Sequence, residues 1–155
     1  MDYIKASTND ISRIFDLVQN TIKTVYPKYY PKKVVEFFCK LHSKENILTD
    51  IENRCVYILL YDNQLVGTGT HKGSHITRVF VLPEYQGQGY GSYIMGQLEK
   101  EIAMTDTAVY LDASLAASIL YEHRGYKTIA HERIAVDDEI LVYERMKKEL
   151  KNNGV

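Results

Sequence analysis

Three glycines at alternate positions follow an apolar strand pattern and precede a helical pattern, and this segment constrains the fold most strongly. Residues 79–91 read Val-Phe-Val-Leu-Pro-Glu-Tyr-Gln-Gly-Gln-Gly-Tyr-Gly. Pro83 stops the strand, and the glycines allow backbone conformations that are closed to other residues. Exposed main-chain N–H groups and the partial positive charge at the start of a helix favour a phosphate or pyrophosphate. A tight turn without a ligand is the alternative, but such a turn needs fewer glycines.

Two common phosphate-binding motifs do not fit this loop. A P-loop requires Gly-Lys-Ser/Thr, and the loop contains no lysine. The dinucleotide-binding fingerprint requires a third glycine three positions after the second, and that position is Ser92. The antiparallel hairpins expected before the loop also disagree with a doubly wound sheet.

The rest of the chain predicts a mixed α/β fold. Apolar residues recur at helical spacing in the first third, and β-branched and aromatic runs separated by short turns follow. We expect helices over Ile11–Thr24, from Pro31, over Lys44–Glu52, after the glycine loop and over Ser114–Arg124, the last with Ser114 as its capping residue. We expect strands over Tyr3–Ala6, Cys55–Tyr61, Leu65–His71, His75–Leu82, Ala108–Ala113, Tyr126–Val136 and Ile140–Met146.

Composition limits the class of protein. With 155 residues, 45% hydrophobic and 25% charged, residues 1–155 are expected to form a single globular domain. A formal net charge of -1 argues against nucleic-acid binding through bulk positive charge. No apolar run approaches the ~20 residues that span a bilayer, so no membrane partner is expected. Two isolated cysteines, Cys39 and Cys55, and the absence of a signal-peptide pattern predict a cytoplasmic protein.

The glycine loop resembles the signature of the GCN5-related N-acetyltransferases, the GNAT superfamily. That signature reads Gln/Arg-x-x-Gly-x-Gly/Ala after Val-x-Pro, and it is matched by Val81-Leu82-Pro83 and residues 86–91. A second family pattern, Asn-x-x-Ala-x-x-x-Tyr-x-x-x-Gly-Phe/Tyr, is similar to residues 114–126, with Ser114 in place of Asn. The resemblance implies a central, mixed, mostly antiparallel twisted sheet of six or seven strands flanked by about four helices.

The resemblance also implies acetyl-CoA as the cosubstrate, bound where two neighbouring parallel strands splay apart. Main-chain groups of Val79 and Val81 would hold the pantetheine arm like an added strand. The remaining cofactor-binding residues implied are Gln86, Gly87, Gln88, Gly89, Tyr90, Gly91, Ser92, Ser114 and Tyr121.

Acyl transfer from a thioester to an amine requires proton transfers at two atoms. Tyr121 matches the family tyrosine that faces the cofactor sulfur, and a phenol is protonated at neutral pH and can donate to a thiolate. A tyrosine packed in the core is the alternative reading. Strand alternation places His75 on the face of Val79 and Val81, where an imidazole could deprotonate the amine. The alternative to this base role is that His75, which follows a turn, is only exposed to solvent.

The acceptor is expected to be a primary amine of a small molecule or amino acid. Tyr26, Tyr29 and Tyr30 lie in a proline-containing loop that resembles the family's acceptor-covering region, and they are the expected substrate-binding residues. A protein or peptide acceptor, and a non-catalytic acyl-CoA sensor, are the competing readings. His71 and His75 flank one turn, but no third ligand has suitable spacing, so no metal is expected. A homodimer is one option for its assembly.

Overall fold

Seven strands, numbered β1 to β7 along the chain, form one sheet in a computed structural model that describes residues 1–115 and 117–151. They are β1 (Asp2–Lys5), β2 (Val56–Tyr61), β3 (Gln64–Lys72), β4 (His75–Val81), β5 (Ala108–Ala113), β6 (Lys127–Val136) and β7 (Glu139–Glu149). Their order is β1-β2-β3-β4-β5-β7-β6. All neighbouring pairs are antiparallel except β4 and β5 at the centre. This mixed, mostly antiparallel sheet confirms the expected fold class.

Four longer helices and a short fifth pack on the sheet. They are α1 (Ile11–Val25), α2 (Lys32–Leu41), α3 (Lys44–Glu52), α4 (Tyr90–Ile102) and α5 (Ser118–His123). Apolar residues of α1, α2 and α3 share a cluster with alternate residues of β2, whereas α4 shares a second cluster with β5 and the other residues of β2. The β4–β5 junction therefore lies between two hydrophobic layers, and a polar side chain there must be paired or face a cavity.

Gly69 of β3 allows α4 to pack directly on the sheet. A Cβ at this position would lie 2.6 Å from Cγ2 of Ile94 and 3.1 Å from Cδ1 of Leu98. Both side chains are fully buried, so they have no free space into which to move. The close approach fixes α4, and with it the glycine loop that precedes α4.

We expect Gly69→Ala to lower the free energy of unfolding by about 1–3 kcal/mol, since the added methyl overpacks a dense core. Urea denaturation measures this change. The matched control is Gly91→Ala, where the nearest atom to a new Cβ, Cγ2 of Val81, is 3.8 Å away. That variant should be neutral or slightly stabilising, because alanine favours a helix. Equal stabilities for the two variants would contradict the proposed packing role of Gly69.

The predicted bounds hold closely for most elements, and α5 is the exception. The predictions for Lys44–Glu52 and Ala108–Ala113 are confirmed at both ends. Ser114 was expected to cap α5, but that helix begins at Ser118 with Ala117 as its N-cap residue. The carbonyl of Ser114 instead accepts bonds from the N–H groups of Ala117 and Ser118, at 3.0 and 3.1 Å, forming a turn before the helix. The capping prediction was wrong because the backbone, not the hydroxyl, makes this connection.

Candidate active site

The central strands β4 and β5 diverge and open a cleft. Their parallel pairing covers only His75 with Tyr110 and Ile76 with Leu111, although β4 continues to Val81 and β5 to Ala113. Beyond Ile76, β4 remains paired with β3 on its other side. The β5-facing backbone of β4 is therefore available to an extended ligand, and a cavity of ≈ 1210 Å³ lies along it.

The glycine loop forms one end of the cleft. Gly87 and Gly89 have φ values of 77° and 89°, in the left-handed region that other residues avoid. Within the described residues, the N–H groups of residues 87–89 have no acceptor, and α4 begins directly afterwards at Tyr90. The first-turn N–H groups of a helix are likewise without intrahelical partners. The loop thus presents several backbone donors where an anion can bind.

Two bonds hold this loop in place. The side-chain amide of Gln86 donates to the carbonyl of Val81 at 3.0 Å, which ties the loop to the end of β4. On the helix side, Nη1 of Arg124 donates to Oγ of Ser92 at 2.8 Å. Gln88 donates to the Glu84 carbonyl at 3.4 Å and stays within the loop. Among the residues predicted for the cofactor, Val79, Val81, Gln86, Gly87, Gly89, Tyr90, Gly91, Ser92, Ser114 and Tyr121 line the cleft.

A buried carboxylate, that of Glu99, holds the Arg124 side chain in place. Glu99 of α4 is 7% exposed and accepts bonds from Arg124 Nε at 2.8 Å, Lys148 Nζ at 2.9 Å and the Tyr126 hydroxyl at 3.1 Å. Because two cations, Arg124 and Lys148, contact this one carboxylate, the three side chains together carry a net positive charge beside the glycine loop. Glu99 carries no local sequence signal, because its partners are 25 to 49 residues away along the chain.

Tyr121 of α5 lines the cleft. Its ring packs edge-on against Tyr126, with the ring centroids 5.8 Å apart. Burial raises the pKa of Tyr121 above the ordinary value of a phenol. Burial, followed by the proximity of Tyr121, also raises the pKa of Tyr26. Both phenols line the cleft in their protonated form, and each can donate a proton or a hydrogen bond.

A β-bulge interrupts β4 at the point where the strands separate. Thr70 of β3 pairs with Arg78, but the next residue, His71, pairs with Ile76. Thr77 is therefore an extra residue without an opposite partner. The bulge places Ile76 and Arg78 on opposite faces of the sheet, where regular alternation would have placed them on the same face.

This bulge overturns the expected position of His75. Val79 and Val81 pack in the cluster on the α4 face, whereas His75 lies on the face that carries α1 to α3. The prediction that the three residues share a face was wrong because alternation does not persist through a bulge. His75 still lines the cleft, and its Nε2 is 3.6 Å from Oδ2 of Asp112. That carboxylate also accepts a bond from Nε of Arg145 at 3.2 Å.

A buried polar network occupies the α1–α3 side of the cleft. Arg78 is 5% exposed and donates through Nη2 to Asp50 Oδ2 at 3.1 Å, through Nη1 to Thr70 Oγ1 at 3.0 Å and through Nε to His42 Nδ1 at 3.1 Å. Lys72 Nζ lies 3.0 Å from the other oxygen of Asp50. Except for Thr70, these residues all line the cleft.

His42 is held neutral in this network. Burial, and then the Arg78 guanidinium, lower the pKa of His42 to about 3. The sequence contains one signal for the network, a charged residue in the middle of an apolar strand, at Arg78. Its partner Asp50 is 28 residues away along the chain, so the pairing itself could not be derived from sequence spacing.

The three predicted acceptor-side tyrosines differ in position. Tyr26 and Tyr29 line the cleft, and the Tyr26 ring packs edge-on against Phe38 at 5.0 Å. Tyr30 packs in the apolar clusters beneath, and its hydroxyl accepts a bond from the Leu115 N–H at 3.2 Å. The loop before α2 is thereby connected to the turn before α5, across the mouth of the cleft.

The described residues contain neither a metal-ligand cluster nor a helix suited to cross a membrane. In residues 1–115 and 117–151, no three histidine, cysteine, aspartate or glutamate side chains are grouped as metal ligands would be. Within the same ranges, none of the helices has the length and apolar character needed to cross a membrane.

Comparisons with solved structures extend over nearly the whole chain. A GCN5-related N-acetyltransferase from Rhodopseudomonas palustris is 21% identical with a TM-score of 0.88, covering 96% of this chain and 95% of its own. The putative acetyltransferase yncA of Salmonella typhimurium, solved with its cofactor acetyl-CoA, is 17% identical with a TM-score of 0.75, covering 100% of this chain and 96% of its own. At these identities, the likeness establishes the fold.

Sequence comparisons identify the family. An uncharacterized acetyltransferase of Streptococcus pyogenes serotype M3 is 34% identical over 84 residues, which cover 50% of this chain and 59% of the relative. The matched segment is thus little more than half the relative's length. The family described as Acetyltransferase (GNAT) domain matches residues 25–150. The chain therefore belongs to the GNAT acetyltransferase family.

Proposed function

We propose that the chain is an acetyl-CoA-dependent N-acetyltransferase that transfers an acetyl group to a primary amine of a small molecule or amino acid. The observation that carries the proposal is the arrangement of the cleft. A donor-rich glycine loop lies at one end, unpaired strand backbone runs along the middle, and titratable side chains line both walls. The pyrophosphate, the amide-containing arm and the thioester of such a cosubstrate fit these three features in that order.

Acetyl-CoA would be held mainly by the backbone. The N–H groups of residues 87–91 would bind the pyrophosphate, and Val79 and Val81 would pair with the amides of the pantetheine arm. The Arg124 side chain, oriented by Glu99, would add positive charge beside the loop. The chemistry that the cosubstrate supplies is an activated acetyl group on sulfur.

The reaction then needs one bond formed, one bond broken and two protons moved. The amine nitrogen attacks the thioester carbonyl carbon, the C–N bond forms and the C–S bond breaks. Before attack, the ammonium form of the amine loses a proton to His75, directly or through water; Asp112 stabilises the imidazolium, which then releases this proton to solvent. Tyr121 donates its proton to the departing thiolate and recovers one, through solvent, from the newly acetylated nitrogen, so protons and charge balance.

The His75 role predicts a specific pH response. We expect His75→Gln to lower kcat/KM about tenfold at neutral pH and to recover partly at higher pH, where the free amine itself is deprotonated. Initial rates from pH 6 to 10 measure this. His131→Gln is the control, since His131 is exposed on β6. A loss of the same size at every pH would exclude a base role for His75.

A binding experiment and a turnover experiment test the function. Acetyl-CoA should raise the Tm, whereas NAD and ATP should not, because a ligand stabilises the state that binds it. Thiol release from acetyl-CoA across amines, amino acids and peptides should then occur with small amines. Stabilisation without thiol release for any acceptor would favour the sensor reading, and release only with peptides would favour a protein acceptor.

A further inference from the structure

The polar network on the α1–α3 side of the cleft contains more hydrogen-bond donors than the protein itself uses. A guanidinium carries five N–H groups. Arg78 directs one bond each to His42, Thr70 and Asp50, which accounts for three of them. The residue lines the cleft, two positions beyond the last β4–β5 pair at Ile76. Two N–H groups thus remain without an acceptor among the described residues, on a side chain that borders the cleft.

His42 supplies a further donor beside Arg78. Its Nδ1 accepts the bond from Arg78 Nε, so the ring proton lies on Nε2. Within residues 1–115 and 117–151, Nε2 has no protein partner, and the one fully buried side-chain polar atom without a partner is the hydroxyl of Tyr3. Nε2 of His42 is therefore not completely buried, and His42 lines the cleft. An N–H group there can bond to a ligand.

The charge balance of this region is that of a monoanion site. Arg78 and Lys72 are cationic, and both bind the single carboxylate of Asp50. Asp112, another carboxylate that lines the cleft, is paired with Arg145 at 3.2 Å. Among the described residues, one positive charge of this pair is therefore left without a carboxylate partner, which matches a carboxylate ligand more closely than a phosphate that carries up to about two negative charges.

The wall next to the network is apolar and aromatic. The cleft-lining residues that form it share large hydrophobic side chains: Tyr26, Phe37, Phe38, Leu41 and Phe80. The His42 ring packs edge-on against Phe80 at 5.2 Å, which joins the polar donors to this wall. An acceptor here must present both an anionic group and an apolar body.

We propose that His42 and Arg78 bind a carboxylate of the acceptor, and that the acceptor is an amino acid with an apolar or aromatic side chain. This inference rests on the proposed function only for the use of the bound molecule; the binding itself does not require turnover. Arg78 and His42 act as specificity-determining residues, since they bind the carboxylate of the acceptor, whereas its amine reacts.

The test compares matched ligands by isothermal titration, with and without CoA. The probes are leucine, isoleucine, methionine, phenylalanine and tyrosine, each against its own carboxamide, which keeps the amine and the side chain. Charge-assisted bonds to a buried site predict that at least one free acid binds about ten- to a hundredfold more tightly than its amide. Equal or weaker binding of every acid, or no binding of any probe, overturns the proposal.

Two variants locate the preference. In His42→Asn, the amide oxygen can still accept from Arg78 Nε, but no donor stands at the position of Nε2; the acid-over-amide preference should fall about tenfold. His131→Asn, an exposed histidine given the same substitution, is the control and should retain the preference. Arg78→Lys keeps the charge but loses the planar fork and should also reduce it. If His42→Asn and Arg78→Lys both fold and both keep the acid-over-amide preference, the assignment of the carboxylate site to these two residues is wrong.

The outcome is separable from that of the proposed function. Acid-selective binding without thiol release would support the carboxylate site and defeat the proposed enzyme. Thiol release with amines and no acid preference would support the enzyme and defeat the carboxylate site.

Discussion

Tyr121→Phe should lower kcat about a hundredfold or more and leave the affinity for acetyl-CoA within about twofold of wild type. Removal of a positioned proton donor typically costs this much, because the thiolate must then leave without a proton. The ring itself, packed at 5.8 Å from Tyr126, is kept by phenylalanine, so the cleft wall should not change shape. Initial-rate kinetics give kcat, and isothermal titration gives the affinity for acetyl-CoA.

The control for this variant is Tyr126→Phe. The Tyr126 hydroxyl donates to Glu99, away from the cleft, so its removal should cost about 1 kcal/mol of stability and leave kcat nearly unchanged. Tyr26→Phe tests the neighbouring phenol. If kcat fell in Tyr26→Phe but not in Tyr121→Phe, proton delivery would belong to Tyr26 and the assignment to Tyr121 would be wrong.

Gly89→Ala should weaken acetyl-CoA binding at least tenfold. Gly89 has φ 89°, and no atom of the described residues lies within 4 Å of a Cβ built there. A side chain at this position therefore strains the backbone and occupies space that the ligand needs, both of which disturb the N–H groups that would bind the pyrophosphate. Isothermal titration with acetyl-CoA measures the loss.

Gly73 offers a matched control for this substitution. Its φ is 57°, and a Cβ there also meets no atom within 4 Å in the part of the chain that the structure describes, but Gly73 lies in the turn between β3 and β4. Gly73→Ala should carry a similar strain of about 1–2 kcal/mol and retain acetyl-CoA affinity. Equal affinities for the two variants would mean that the glycine loop does not hold the cosubstrate.

The backbone part of the site follows from local sequence signals. Proline, alternating glycines and the onset of helical spacing are all contained in residues 79–91, so the strand, loop and helix could be predicted without long-range information. The start of α5 could not, because Ser114 makes its connection through a carbonyl whose partners depend on the turn geometry.

The side-chain part of the site depends on long-range pairing. The face of His75 is set by an extra residue at Thr77, and a bulge depends on the register with β3, which alternation within one strand does not reveal. Arg78 and Asp50 meet only after α3 packs against the sheet. On the acceptor side, the aromatic loop was predicted from the sequence and Arg78 left one local signal, but the pairing of Arg78 with Asp50 became visible only in three dimensions.

One measurement tests the proposed activity most directly: the stoichiometry of products when the purified chain is incubated with acetyl-CoA and a small primary amine or amino acid. Free thiol by a colorimetric assay and N-acetylated amine by mass spectrometry should appear in a one-to-one ratio, at a rate proportional to protein concentration, and both should fall together in Tyr121→Phe. Thiol release without an acetylated amine, or no release with any small amine from a protein that binds acetyl-CoA, would contradict acetyl transfer to a small amine.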